Sequence, residues 1–257
     1  VIAMPRVLGQ VLPPALFLAG LLALWAVLTQ RGIIPRYLLP SPAALLQALA
    51  GNGAVLRKHA LATTLEAVGG FLIGNAAAIA TAILLARSAR LRAAIYPLAL
   101  ASRAVPVIAV TPVLVALLGR GEPPILAVVA ISVAFPTLLN MLRGLLSADV
   151  EYHEMLHALS ATPWQRLRLI ELPAALPYLF AALRVGASAA MIAAIVGEWI
   201  GANVGLGYLI VLSGSYFKIP LLWAAITVAG AITLALVGLV GLGERLFARF
   251  IPAEAAP

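Results

Sequence analysis

The chain has 257 residues, 63% of them hydrophobic and 10% charged, with a mean hydropathy of +1.08; a soluble domain carries about 25% charged residues, so a water-covered globule is excluded and lipid is the main solvent. The formal charge of +8 sits on arginines at the ends of apolar runs, with no basic patch interleaved with aromatics, so it reads as membrane-topology charge and not as nucleic-acid binding. There is no cysteine, which excludes disulfides, thiol catalysis and thiolate metal sites.

About 20 apolar residues cross a bilayer as a helix. The opening VIAMPRVLGQ leads into an apolar run without a small-residue cleavage site, so a retained first span is expected over 11–29, not a signal peptide. The next stretch carries Pro35, Pro40 and Pro42 and is too broken to span; Ser41-Pro42 before AALLQAL reads as a capped short helix at the interface. A second span is expected over 61–86, ending in RSARLR, and a third over 93–118, interrupted by Pro97, Pro106 and Pro112. GRGEPP forms a tight loop before a fourth span over 125–145. The fifth and sixth are expected over 174–200 and 221–242, joined by a Gly-rich, partly apolar loop, GANVGLGYLIVLSGSYFKIP. The fold class is therefore all-α: one polytopic domain over 1–257 with about six transmembrane helices.

An even number of spans puts both termini on one side. With that side cytoplasmic, Arg6, Arg87, Arg90, Arg92, Arg143, Arg166, Arg168, Arg245 and Arg249 lie inside, and Arg31, Arg36, Arg57, Lys58, Arg120 and Lys218 outside. This bias favours cytoplasmic termini and a cytoplasmic loop between spans four and five.

That loop, EYHEMLHALSATPWQRLRLIELPAALP, is the compact charged insert of an otherwise apolar chain. Tyr152, Met155, Leu156 and Leu159 have helical spacing. Thr162-Pro163-Trp164-Gln165 has the pattern of a capping box with proline at the first helical position. The insert thus reads as two short helices joined at Ser160-Ala161-Thr162, the second given an apolar side by Trp164, Leu167 and Ile170 and stopped by Leu172-Pro173. An amphipathic loop resting on headgroups is the plainer alternative, but the acidic start of the insert suits an anionic surface poorly.

The insert resembles the cytoplasmic EAA motif of permease subunits of binding-protein-dependent ABC importers, with Glu154-Met155-Leu156, then Ser160, then Leu172-Pro173 at the motif positions. LPSP at 39–42, the GEPP loop, AFPTLLN at 134–140 and the stretch from LPAALP through GLGYLI are similar to the nitrate/sulfonate/taurine-type branch, so the resemblance covers nearly the whole chain. Met155 and Leu156 stand where the motif has alanines, and Ser160 where it has a glycine suited to positive φ. The resemblance implies a type I ABC importer permease fold in a bacterial plasma (inner) membrane, acting as a homodimer. It implies as partners cytoplasmic ABC ATPase subunits, an extracytoplasmic binding protein and the lipid bilayer, and as cargo a small solute such as a sulfonate, taurine, nitrate or a pyrimidine-like compound. The insert, about 150–172, would be a coupling helix. Met155, Leu156, Leu159 and Trp164 would give docking area, Glu154, Arg166 and Arg168 orientation, and Ser160 and Ala161 the turn.

The chain itself is not expected to be an enzyme. Its two lysines, Lys58 and Lys218, follow Arg57 and Phe217 and not the glycine of a phosphate-binding loop, so ATP and Mg would be used by a partner ATPase and this chain would bind no cofactor. His153 and His157 have an i, i+4 spacing that can hold zinc, but HEMLH offers no further ligand, and no metal site is assigned. Four charges, Glu66, Arg103, Arg184 and Glu198, fall within spans, where each is costly. Glu66 and Glu198 are near outer ends and could sit at the interface. Arg184 could reach back to water or pair within the bundle. Arg103, with Pro106 in a broken helix, could face the pathway with Glu198 or form a buried pair with a glutamate.

Gly70, Gly74 and Ala78 give small-xxx-small spacing, open to packing within the chain or between two copies. The 201–207 segment could close the outer end of the pathway or merely turn the chain. The alternative function is an ion-gradient-driven secondary transporter, which calls for mid-membrane carboxylates and an internal repeat. A membrane enzyme would need His, Asp or Glu clustered at one depth.

Overall fold

The computed structural model describes residues 6–102 and 105–247. Among them there is helix and no strand: α1 Arg6–Gln30, α2 Pro42–Gly51, α3 Gly53–Arg87, α4 Ala89–Ser102, α5 Val107–Leu118, α6 Glu122–Leu146, α7 Val150–Ala158, α8 Pro163–Arg166, α9 Leu172–Gly201, α10 Leu206–Ser215 and α11 Ile219–Phe247. Helices dominate because lipid offers no partner for a backbone N–H or C=O, and a helix satisfies these groups within its own segment.

Five of the described stretches are long and apolar enough to cross a membrane: Leu12–Gln30, Gly53–Arg87, Glu122–Leu146, Pro163–Gly201 and Ile219–Phe247. The expected third span over 93–118 is divided into α4, of 14 residues, and α5, of 12. Pro106 stands before α5 with an extended backbone (φ −63°, ψ 115°), a conformation that ends one helix and admits the next. Arg103, the residue expected at this break, lies outside the described residues.

The short helix after Ser41 is present as α2, with the Ser41 hydroxyl accepting from Ala44 N–H at 3.3 Å. The 201–220 stretch, expected as a loop, contains the ten-residue helix α10. Its apolar run LGYLIVL has enough helix formers to override the glycines once Leu206 and Leu209 are buried.

The core is a slab of α3, α6 and α9. Ala67, Val129, Val133, Ala190 and Met191 are buried at its centre. Backbones approach closely where side chains vanish. A Cβ on Gly74 of α3 would lie 2.8 Å from the Ala130 Cα of α6, and one on Gly144 of α6 would lie 2.7 Å from the Ala175 Cα of α9. The small-residue face of α3 is thus used within the chain. A buried hydrogen bond from Thr137 Oγ1 to Asn75 Oδ1, 2.5 Å, pins α3 to α6.

The slab has two ends. At one end Gly121 N–H donates to the Gly201 carbonyl at 2.9 Å, joining the start of α6 to the end of α9. At the other end α6 leads into α7 and the insert. Arg184 of α9 pairs with Glu244 of α11 toward this second end, settling the pairing alternative for Arg184. α2 and α11 are joined near the first end by a second apolar cluster that includes Leu45, Leu206, Ala224 and Ala225.

Candidate functional site

The insert is built by local sequence. Leu159 caps helix α7, and Ser160 adopts φ 53°. Ser160 N–H donates to the His157 carbonyl (3.0 Å) and Ala161 N–H to the Leu156 carbonyl (2.9 Å). This is a Schellman ending, a geometry glycine usually supplies. The serine takes the left-handed conformation at that position and does not switch to another turn.

The capping box follows as expected. The Thr162 hydroxyl accepts from Gln165 N–H (3.3 Å), and Gln165 Oε1 accepts from Thr162 N–H (2.7 Å).

Two expectations for the insert are corrected. First, Leu172-Pro173 does not stop the second helix: α8 passes through a π-helical turn, 167–171, directly into α9. Proline has no N–H and its ring displaces the carbonyl four residues back. The wider turn, with Leu172 N–H donating to the Leu167 carbonyl, absorbs both effects. Second, Leu156 is not a docking knob. It is 7% exposed and faces inward, as does Leu167 at 4%. Helical spacing put Leu156 with Tyr152, Met155 and Leu159, but the body of the protein lies against only part of that face.

The remaining apolar side chains are free: Met155, Leu159 and Trp164 are 51%, 70% and 65% exposed. Glu154, Ser160 and Arg168 are exposed beside them, while Ala161 and Arg166 are half-buried. The insert therefore offers an apolar ridge flanked by charges of both signs, carried on a capped unit continuous with α9.

The root of the insert is fixed. Leu167 packs with Ala82 and Leu85 of α3, Met141, Leu142 and Leu145 of α6, and Ala175 of α9. Glu171, on the π turn, is buried and forms an ion pair with Arg87, the last residue of α3, at 3.1 Å.

At the opposite end of α3 lies a buried polar cluster. Glu66 and Glu198 are both buried within the protein, so neither carboxylate reaches out to water. Their carboxyls lie close together. Glu198 Oε2 accepts from Gly207 N–H (2.5 Å), and Thr63 Oγ1 accepts from Leu206 N–H (2.7 Å). His59 Nδ1 lies 3.0 Å from the Gly205 nitrogen and 2.9 Å from its oxygen, and the ring stacks on Tyr208 at 6.1 Å. Gly205 has φ 132°, and a Cβ on Gly207 would lie 2.9 Å from Glu198 Oε2. The 202–207 segment is thus clamped onto α3 by side chains that reach its backbone.

In this structure Glu198 is directed to its own chain's backbone, and Pro106 is exposed at the head of α5. A groove of about 240 Å³ between α3, α9 and α11 is lined by apolar residues such as Ala67, Phe71, Ala190 and Leu236.

The sequence reading missed His59 and Thr63. Their signal was available: 59, 63, 66, 70 and 74 recur at helical spacing, placing the polar residues on the same face as the packing glycines. In a membrane protein that shared face is the buried one.

The family model for "Binding-protein-dependent transport system inner membrane component" matches residues 74–250. The chain is 38% identical to the riboflavin transport system permease protein RibX of Chloroflexus aurantiacus over 92% of its own length and 91% of that protein. It is 36% identical to the formylaminopyrimidine transport permease protein ThiX of Halalkalibacterium halodurans, over 77% of this chain and 80% of that one. Its fold matches a chain of the MetNI methionine ABC transporter, solved in inward facing conformations, with a TM-score of 0.61 at 19% identity, covering 77% of this chain and 97% of that one. With the helical slab and the exposed insert, these matches place the chain in the binding-protein-dependent transport family: it is an ABC importer permease with the type I fold.

Proposed function

We propose that two copies of this chain form the translocation pathway of an ATP-driven importer and dock through their inserts on two copies of a cytoplasmic ATPase. The observation that carries this reading is the insert itself: an exposed apolar ridge on a doubly capped unit, continuous with a membrane-spanning helix. A rigid unit transmits displacement where a slack loop would absorb it. Met155, Leu159 and Trp164 supply docking area. Glu154, Arg166 and Arg168 set orientation, and Ser160 and Ala161 form the turn between the helices. ATP and Mg are used by the partner, and an extracytoplasmic binding protein delivers the solute.

The membrane is the bacterial plasma membrane, with the insert and both termini cytoplasmic, as the arginine bias favours. The pathway is assigned to the surface between two copies; the groove between α3, α9 and α11 is apolar and gives a polar solute nothing to bind. The substrate class is a small, pyrimidine-like heteroaromatic. Two relatives, named for riboflavin and for formylaminopyrimidine transport, support it over the sulfonate, taurine and nitrate alternatives.

The test is co-expression with a cytoplasmic ABC ATPase from the same genome. The unaltered chain is expected to co-purify with it, and Met155→Asp combined with Trp164→Asp, or Glu154→Arg alone, to lose it while remaining monodisperse. No complex with the well-folded unaltered chain, or an undiminished complex with the variants, would overturn the reading.

A further inference from the structure

The ion pair between Arg87 and Glu171 is not explained by docking, because neither residue lies on the exposed ridge. It joins the last residue of α3 to the π turn at the root of the insert. Single π turns inside longer helices are uncommon and concentrate at functional positions. This one holds a buried carboxylate where the insert meets the membrane-spanning slab. Arg87 is also placed at a helix C-terminus, where a cation is favoured.

The surrounding contacts are apolar: Leu167 of the π turn against Ala82 and Leu85 of α3. Apolar contact is non-directional and holds the surfaces together over the whole of their shared area. A charge pair resists sliding because its energy depends on one distance. The 3.1 Å approach is off hydrogen-bonding angle at Glu171 Oε2, so the attraction is chiefly charge to charge.

The far end of α3 is also tied. His59 and Thr63 hold Gly205 and Leu206 there, across about 36 Å of continuous helix at 1.5 Å per residue. α9 runs beside it, with Glu171 at one end and Glu198 at the other. α3 and α9 are therefore fastened to each other at both ends.

We propose that Arg87 and Glu171 are positioning residues that deliver displacement of the insert to α3, and through it to the 202–207 segment at the opposite face of the membrane. The inference rests on the coupling role of the insert.

The experiment uses the full complex of this chain with its ATPase in lipid vesicles. The chain has no cysteine, so Asn203→Cys, exposed in the 202–207 segment, gives one labelling site per copy. The readout is the rate of maleimide labelling with and without Mg-ATP, beside co-purification of the ATPase. With Arg87 and Glu171 intact, Mg-ATP is expected to change the labelling rate several-fold. Arg87→Gln and Glu171→Gln should each abolish that change while the ATPase still co-purifies. Arg87→Lys, which keeps the charge, should retain it, and the exchanged pair Arg87→Glu with Glu171→Arg should restore at least part of it.

A full ATP response in both glutamine variants would overturn the proposal, as would the absence of any response in the unaltered pair within an assembled complex. Failure of the unaltered chain to assemble with the ATPase would instead defeat the coupling role on which the proposal rests.

Discussion

Helices α1 and α3 are equally apolar over their best windows, yet they occupy opposite situations. α3 packs through Gly70 and Gly74 into α6, while α1 leaves Leu16, Phe17, Leu18 and Leu22 exposed, and Gly20 has nothing near its Cβ position. The difference teaches that hydropathy finds the membrane but not the core. Lipid tails are as apolar as leucine, so burial follows close approach of backbones and polar groups that need partners. α3 has both, on one face.

The contrast can be broken most severely at Gly74. Gly74→Val should drive a branched side chain into the Ala130 backbone and destabilise the protein by about 3 kcal/mol. Thermal unfolding in detergent reads this; retention of the unaltered midpoint would mean the slab is looser than described. Next comes the polar clamp. Glu198→Ala leaves the buried Gly207 N–H without its acceptor and should cost about 2 kcal/mol, whereas Glu198→Gln keeps an acceptor oxygen and should cost less. The same melts compare the two, and equal losses would deny the clamp its role.

At the insert, Thr162→Ala removes the capping box and should cost about 1 kcal/mol, read as faster amide hydrogen exchange over 162–166 with α3 unaffected. Ser160→Gly relieves a left-handed serine and should slow exchange in α7, a gain of about 0.5 kcal/mol after glycine's own entropic cost. The smallest effect is expected in α1, where Gly20→Leu should shift stability by no more than about 0.5 kcal/mol. A larger loss there in the isolated chain would erase the contrast with α3.

Most of the fold was legible. Five of the six expected spans, the capped helix after Ser41 and the Thr162–Gln165 box depend on local sequence and are present, whereas the third expected span, 93–118, is divided into α4 and α5. What escaped depends on neighbours. Leu156 could not be assigned inward from spacing alone, because an amphipathic face does not say how much of itself is covered. Pro173 looked like a stop because proline ends helices; the π turn that accommodates it is a property of the packed segment. Glu66 and Glu198 looked free to reach water by position, but both are buried beside residues far away in sequence. Arg87 and Glu171 are likewise joined only by tertiary structure.

The central claim is that α3 and α9, fastened at both ends, carry movement of the insert across the membrane as one body. Electron-spin distance measurement between labels at Val150→Cys on α7 and Tyr216→Cys at the end of α10 tests it directly; both positions are exposed. Labelled chain would be diluted with unlabelled chain to isolate distances within one copy. The account predicts that this distance stays fixed when Mg-ATP is added to the assembled complex, while the distance between the two Val150→Cys labels of undiluted complexes changes. A Val150-to-Tyr216 distance that changes as much as the distance between copies would contradict it.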